Sequence, residues 1–310
     1  MSSVEIIEPR EVPLGGLRAM TVRRTLPTRG RSLIGAWCFL DHYGPDDVAQ
    51  TGGMAVSAHP HTGLQTVSWL FTGEIEHRDS AGHRAMVRPG EVNLMTAGRG
   101  ISHTEVSTSG TTTLHGAQLW VALPDGRREI DPAFEHYAAP LAAGDGWTAR
   151  VFLGSALGQA SPVATHTPLL GAEVSLECGT ALTLPVDSSY EHGVLVDSGA
   201  IMVDGVPLAA AELAYVPAGA AQIELHAAAE TRLLLLGGAP LGERIVMWWN
   251  FVGRDHAEIE EYRRQWQELI GDGAPADGER QDRFLLPDDD RYPPIPAPEL
   301  PRSVRLTPRG

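Results

Sequence analysis

Cysteine is scarce. The 310-residue chain holds two, Cys38 and Cys178, which excludes a disulfide framework as the source of its stability. Basic residues are outnumbered, 24 Lys and Arg against 39 Asp and Glu, for a formal net charge of -15. That much negative charge repels a phosphate backbone and argues against direct nucleic-acid binding. Its simplest role is to keep the protein soluble. No apolar run reaches the length that crosses a bilayer, so no membrane partner is expected. The opening residues, MSSVEIIEPREVPLGG, lack a basic segment followed by an apolar one. No signal peptide is expected, and the location is read as cytoplasmic.

What is present is a chain of ordinary globular composition, 43% hydrophobic and 20% charged, long enough for two domains with full cores. Alternating apolar and polar residues mark strands in VEIIEP, LRAMTVRRTL, Gln65–Thr72 and Glu91–Thr96. Ala36–Tyr43 reads as a buried strand ending in a turn at Gly44-Pro45, and 111–123 as a long strand. Pro89-Gly90 is a further turn. Short strands separated by turns every eight to twelve residues predict a sandwich or barrel rather than βαβ units. Residues 124–146 read as a polar connection, after which strands resume up to Leu236.

The second set of strands looks like a repeat of the first. Leu195–Ile201 is similar to Trp69–Ile75, and 212–219 to 91–98, at an offset near 120 residues. Asp255–Leu269 is the one convincing helix, with Ile259, Tyr262, Trp266 and Leu269 forming an apolar stripe. The tail after Gly271 is rich in Pro, Asp and Gly and should form no core of its own. Its expected state is either disordered or extended and docked through Phe284, Leu285, Leu286 and Tyr292.

The chemistry concentrates between His59 and Glu105. His59 and His61 share one face of a strand because side chains alternate with period two, and His103 and Glu105 do the same. Two such strands side by side would present three imidazoles and a carboxylate. That donor set suits iron, copper, nickel, manganese or zinc better than calcium or magnesium. A His-x-His pair alone is weak evidence, since this composition yields one by chance about half the time. The surrounding order is stronger: Gly53, His59-Pro60-His61, Gly73, Pro89-Gly90 and then Gly100-Ile101-Ser102-His103 follow the two-part metal motif of the cupin superfamily.

HPHTGLQTVSWLFTGEIEHRDSAG, PGEVNLMTAGRGISHTE, HGAQLWVALP and IGAWCFLDHYGP resemble the pirin family over residues 10–124. The resemblance implies an all-β bicupin: two consecutive double-stranded β-helix (jelly-roll) barrels, a C-terminal helix and an irregular tail. The boundaries expected are 1–135 for a metal-holding N-terminal cupin, 136–252 for a degenerate C-terminal cupin without metal, 253–270 for the helix and 271–310 for the tail. The resemblance implies one divalent metal, usually iron as Fe(II), on His59, His61, His103 and Glu105. Some pirins resemble quercetin 2,3-dioxygenases in activity, with an aromatic small-molecule substrate and O2. In that scheme Glu105 is also the general base. Others are transcriptional co-regulators, which here would mean a metal- or redox-sensing protein that acts through a protein partner. One departure is Gln65, where many pirins carry Glu; it is expected to remove a negative charge close to the metal.

Other residues carry quieter expectations. His77, Asp79, Ser80 and His83 should form a hydrogen-bonded turn, with a role at the site entrance as the alternative. His115 should be a satisfied barrel histidine, and Trp69, Phe71 and Trp120 core residues. Glu191-His192 should open a strand. By the repeat, the second-barrel counterparts of His59, His61, His103 and Glu105 fall at or near Pro185, Asp187, Gln222 and Glu224, so no second metal site is expected.

Overall fold

The computed structural model describes residues 4–13, 20–50, 53–271, 283–289 and 291–310. Within them the chain folds into two β-barrels of the double-stranded β-helix type, each a seven-stranded sheet packed on a four-stranded one. In the first, the larger sheet runs Ala133–Ala138, Glu91–Thr96, Leu64–Thr72, Thr113–Ala122, Trp37–Asp47, Thr21–Leu26 and Arg10–Pro13. The smaller runs Ala55–His61, Ile101–Ser107, Ile75–Asp79 and Arg84–Val87. Every strand pair is antiparallel.

The second barrel repeats this order. Its smaller sheet runs Ala181–Pro185, Gln222–Ala227, Ala200–Val203 and Val206–Ala209. Its larger sheet contains Leu213–Val216, Glu191–Ser198, Thr231–Gly238 and Leu169–Leu176 in the same succession as their first-barrel counterparts. The duplication read from two short likenesses therefore holds strand by strand. It is one residue out of step in the smaller sheet. Gln222 and Glu224 point to solvent, and Pro185 and Asp187 are exposed too. The inward positions belong to Leu184, Ile223 and Leu225, which join Ile201 and Val203 in one apolar cluster. A one-residue slip moves every side chain to the other face, so the second barrel is packed with aliphatics where the first has imidazoles.

Three segments depart from the expected layout. Glu5–Ile7 opens the chain but pairs with Leu213–Val216 of the second barrel. The strand from Trp37 runs on through Gly44 and Pro45 to Asp47 instead of turning there. The 124–146 connection holds two strands, of which Ala133–Ala138 adds to the first barrel and Ala142–Gly144 to the second. The barrels share a core where their larger sheets meet. Trp37, Trp69 and Leu119 pack with Phe152, Leu195 and Leu236, and Trp69 stacks on Phe152 at 4.5 Å between ring centres.

After Gly238 the chain returns to the first barrel. The hairpin Val246–Trp248/Phe251–Gly253 docks there through a bridge from Phe251 to Thr62. The helix follows over His256–Leu269, capped by Asp255, whose carboxylate accepts from the Glu258 amide at 3.0 Å. Ile259, Tyr262 and Trp266 are buried and Leu269 half-buried, as the stripe requires. The described part of the tail is extended and docked. Phe284 is buried against Trp266, whereas Leu285 and Leu286 stay exposed. The tail lies across the outer face of the small sheet: Ser102 donates to the Leu285 carbonyl, Thr104 to Asp289, and Arg291 pairs with Glu76. Among the described residues no helix is long and apolar enough to cross a membrane.

Candidate metal centre

The small sheet of the first barrel explains the site. His59 stands opposite His103 across one strand pair, with a register shift before Glu105. Across the next pair, His103 stands opposite Asp79 and Glu105 opposite His77. Alternation then puts His59, His61, His77, Asp79, His103 and Glu105 on one inward face of three adjacent strands. All six are buried.

One ring nitrogen each of His59, His61 and His103 lies within 4.8 Å of the others. Glu105 keeps the same spacing with His77 and His103, the latter being the residue common to both groups. His61 Nε2 and His103 Nε2 face each other at 3.1 Å. Burial pushes His59 down to about 4 and His61 and His103 well below the ordinary histidine range, so all three rings are neutral near pH 7.

Hydrogen bonds to main-chain carbonyls assign the tautomers of His59 and His61. His59 Nδ1 lies 2.9 Å from the Ser57 carbonyl and His61 Nδ1 3.2 Å from the Asn250 carbonyl. A carbonyl only accepts, so each Nδ1 carries the proton and each Nε2 a lone pair. His61 Nε2 therefore turns its lone pair toward His103 Nε2, 3.1 Å away. The donor set fits a divalent transition metal, with Asn250 of the returning hairpin orienting His61. Glu105 is fixed by Ser68, whose hydroxyl lies 3.2 Å from Oε1 and 3.0 Å from Gln118 Oε1. Burial raises the Glu105 carboxyl above its ordinary range, with the Ser68 bond opposing.

A cavity of about 360 Å³ opens on these residues, walled by Val22, Phe39, Met54, Trp120, Trp249 and Ile295 among others. Phe39 and Trp120 stack at 4.0 Å, and Trp120 meets the His61 ring edge-on at 5.1 Å. Trp120 is thus a cavity wall beside the site, not simply core. Trp69 and Phe71 lie in the core between the barrels, as expected.

Two expectations need correction. Gln65 does not stand beside the expected ligands. It shares the face of its strand with Val67 and Trp69, directed at the inter-barrel core, and donates to Thr96 at 2.9 Å. Ser68, on the opposite face, is the residue that reaches Glu105. The HRDSAGH segment does form its turn, with Asp79 accepting from the Ala81 and His83 amides at 3.0 Å each. It also supplies His77 to the site, 3.3 Å from His103 by their Nδ1 atoms. The signal was present: His77-x-Asp79 has the same two-residue spacing as the other two pairs. Asn250, Trp249 and Ile295 had no local signature because they arrive from the returning chain. His115 sits at the barrel interface and Glu191 opens its strand, as expected.

The family model described as Pirin matches residues 19–121, and that described as Pirin C-terminal cupin domain matches residues 171–270. A "Pirin-like protein" of Caulobacter vibrioides is 36% identical over 306 residues, covering 95% of this chain and 99% of its own. A Pseudomonas aeruginosa protein named "Putative quercetin 2,3-dioxygenase" is 44% identical over 263 residues, 84% of this chain and 83% of its own. A crystal structure of quercetin 2,3-dioxygenase from Acinetobacter baumannii superposes with a TM-score of 0.86 at 38% identity, covering 98% of each chain.

Proposed function

The chain belongs to the pirin family, and on that premise we propose that it is a metal-dependent dioxygenase that opens the ring of a flavonol such as quercetin or a similar enolisable aromatic. The observation that carries this is the convergence of neutral imidazole lone pairs and a buried carboxylate on one apolar cavity. A site that only senses a metal has no need of a cavity of small-molecule size beside it.

His59, His61, His103 and Glu105 would hold the metal. Iron is the first expectation; copper, nickel, manganese and zinc fit the same ligands. A bound divalent ion would supply Lewis-acid polarisation of an enolate oxygen and the one-electron chemistry that dioxygen requires. The protein's own groups do the rest. The Phe39–Trp120 pair offers a flat apolar wall for an aromatic ring. Met54, Val22 and Ile295 keep water from the reacting face. Glu105, its carboxyl raised by burial, accepts the substrate's hydroxyl proton, while Ser68 holds its Oε1.

The test is an aerobic assay of the metal-loaded full chain that follows quercetin absorbance and carbon monoxide together. Both should change. Glu105→Gln should slow the reaction about 100-fold or more, and His61→Ala should lose the metal. Unchanged quercetin with stoichiometric iron, copper, nickel or manganese bound would remove the flavonol reading.

A further inference from the structure

We propose that His77 and Asp79 are positioning residues, a side-chain couple that fixes the tautomer and orientation of His103 as a metal ligand. The proposal rests on the metal reading above. It concerns a difference among the three imidazoles. His59 and His61 have their Nδ1 atoms against main-chain carbonyls of Ser57 and Asn250, acceptors that substitution of the Ser57 or Asn250 side chain does not remove. His103 Nδ1 has no carbonyl; it lies 3.3 Å from His77 Nδ1.

One nitrogen of that pair must donate and the other accept. Asp79 decides which. His77 Nε2 lies 3.2 Å from Asp79 Oδ2, and a carboxylate accepts, so the His77 proton sits on Nε2. His77 Nδ1 is then an acceptor, His103 Nδ1 carries a proton, and His103 Nε2 is left with its lone pair toward His61. Asp79 is itself held. Its Oδ1 takes the Ala81 and His83 amides, and His83 Nδ1 lies 3.0 Å from Oδ2. Phe134 packs against the rings of both His77 and His83, at 4.8 and 5.5 Å between centres. The order of the chain Asp79–His77–His103 runs from an anchored turn to a metal ligand.

Three substitutions separate the tautomer from mere packing. Asp79→Asn keeps an oxygen for the turn amides but can present an NH2 group to His77 Nε2. The His77 proton then moves to Nδ1 and meets the His103 Nδ1–H, donor against donor. His77→Phe fills the space without an acceptor. His77→Asn places an amide oxygen near the former Nδ1 and needs no help from Asp79. The full chain is titrated with Co(II) against a chromophoric chelator, with the cobalt visible bands recorded and the metal-free melting midpoint as a folding control. Asp79→Asn and His77→Phe should weaken binding about 10- to 100-fold, with altered bands. His77→Asn should stay within about threefold of the parent with unaltered bands, and adding Asp79→Asn to it should cost little more. Should His77→Phe not fold, Asp79→Asn against His77→Asn carries the comparison. Parent-like affinity in Asp79→Asn and His77→Phe overturns the proposal, as does a His77→Asn loss as large as that of His77→Phe. If the parent chain itself binds no Co(II), the metal reading fails first and takes the couple with it.

Discussion

His42 of the first barrel and Asp197 of the second meet at 2.7 Å, Nε2 to Oδ1, both buried. His115 Nε2 reaches the same oxygen at 2.6 Å, and Arg232 binds Oδ2 through Nε at 2.8 Å and a terminal nitrogen at 2.7 Å. One carboxylate thus serves two imidazoles and a guanidinium across the interface. Burial alone would raise the Asp197 carboxyl; the bonds from His115 and His42 and the charge of Arg232 bring it below its ordinary range. The cluster has the composition of a metal site, but its hydrogen-bonding distances and bound guanidinium make it an Arg232–Asp197 ion pair that the first barrel's imidazoles bond across the interface. Asp197→Ala leaves Arg232 unpaired and two rings without acceptors. It should cost about 3–5 kcal/mol in urea denaturation, with metal affinity unchanged. A loss under about 1 kcal/mol would mean that the apolar core alone joins the barrels.

Much of this molecule was legible in the chain because its signals are local. Two-residue spacing placed His59 with His61 and His103 with Glu105 on shared faces, and the helix stripe lay in one short window. What sequence could not give was pairing. Whether His77-x-Asp79 lies beside His103 or in an isolated turn depends on which strands are neighbours. The face taken by Gln65 depends on a register that a metal motif does not specify. The same limit produced the one-residue slip at Gln222 and Glu224, where the burial of Ile223 and Leu225 decides. Asn250 and Ile295 come from chain far beyond the motif, and only the returning hairpin and tail bring them to the cavity.

Gly63 couples that returning hairpin to His61, one of the proposed ligands. It has φ +66° directly after His61-Thr62, and a Cβ there would collide with the Val252 carbonyl. The Val252 amide donates to the Thr62 carbonyl at 3.1 Å, and the nearby Asn250 carbonyl accepts from His61. Gly63→Ala should lose about 2–3 kcal/mol, from left-handed strain plus displaced backbone. It should also weaken metal binding, because the Asn250 carbonyl moves with the hairpin. Gly205 has φ +81° with open space around it. Gly205→Ala should cost only the strain, about 1 kcal/mol, and leave metal binding alone. Equal metal affinity in the two variants would disconnect the hairpin from the site.

Trp266 ties the helix to the tail. Its ring is fully buried, and Nε1 donates to the Ile295 carbonyl at 2.8 Å. The Ile295 side chain walls the cavity, and its amide donates to the Ala58 carbonyl at 2.9 Å. Trp266→Ala removes a large core side chain and the tail's anchor together. The expected loss is about 3–5 kcal/mol, with faster proteolysis after Ile295 under native conditions. If the tail stays protected, the bonds from Ser102, Thr104 and Ala58 hold it without the helix.

Acid should unfold the metal-free protein through buried neutral histidines, one of them in each barrel. Burial holds both His59 and His192 at about 4, against about 6.5 in an unfolded chain. Below the unfolded value, the unfolded state takes protons that the folded state refuses, so stability falls with pH. The loss begins near pH 6.5 and levels off near pH 4, at up to about 1.4 kcal/mol per pH unit for each group. Glu105 acts in the opposite sense, since its raised carboxyl takes a proton first in the folded state, but one carboxyl opposes several imidazoles. Urea midpoints measured with chelator present should fall steadily between about pH 7 and about pH 5. His192→Leu, which cannot take a proton, should flatten that slope by about 1.4 kcal/mol per unit. A parent midpoint that does not move over this range would mean that these rings already carry protons in the folded state.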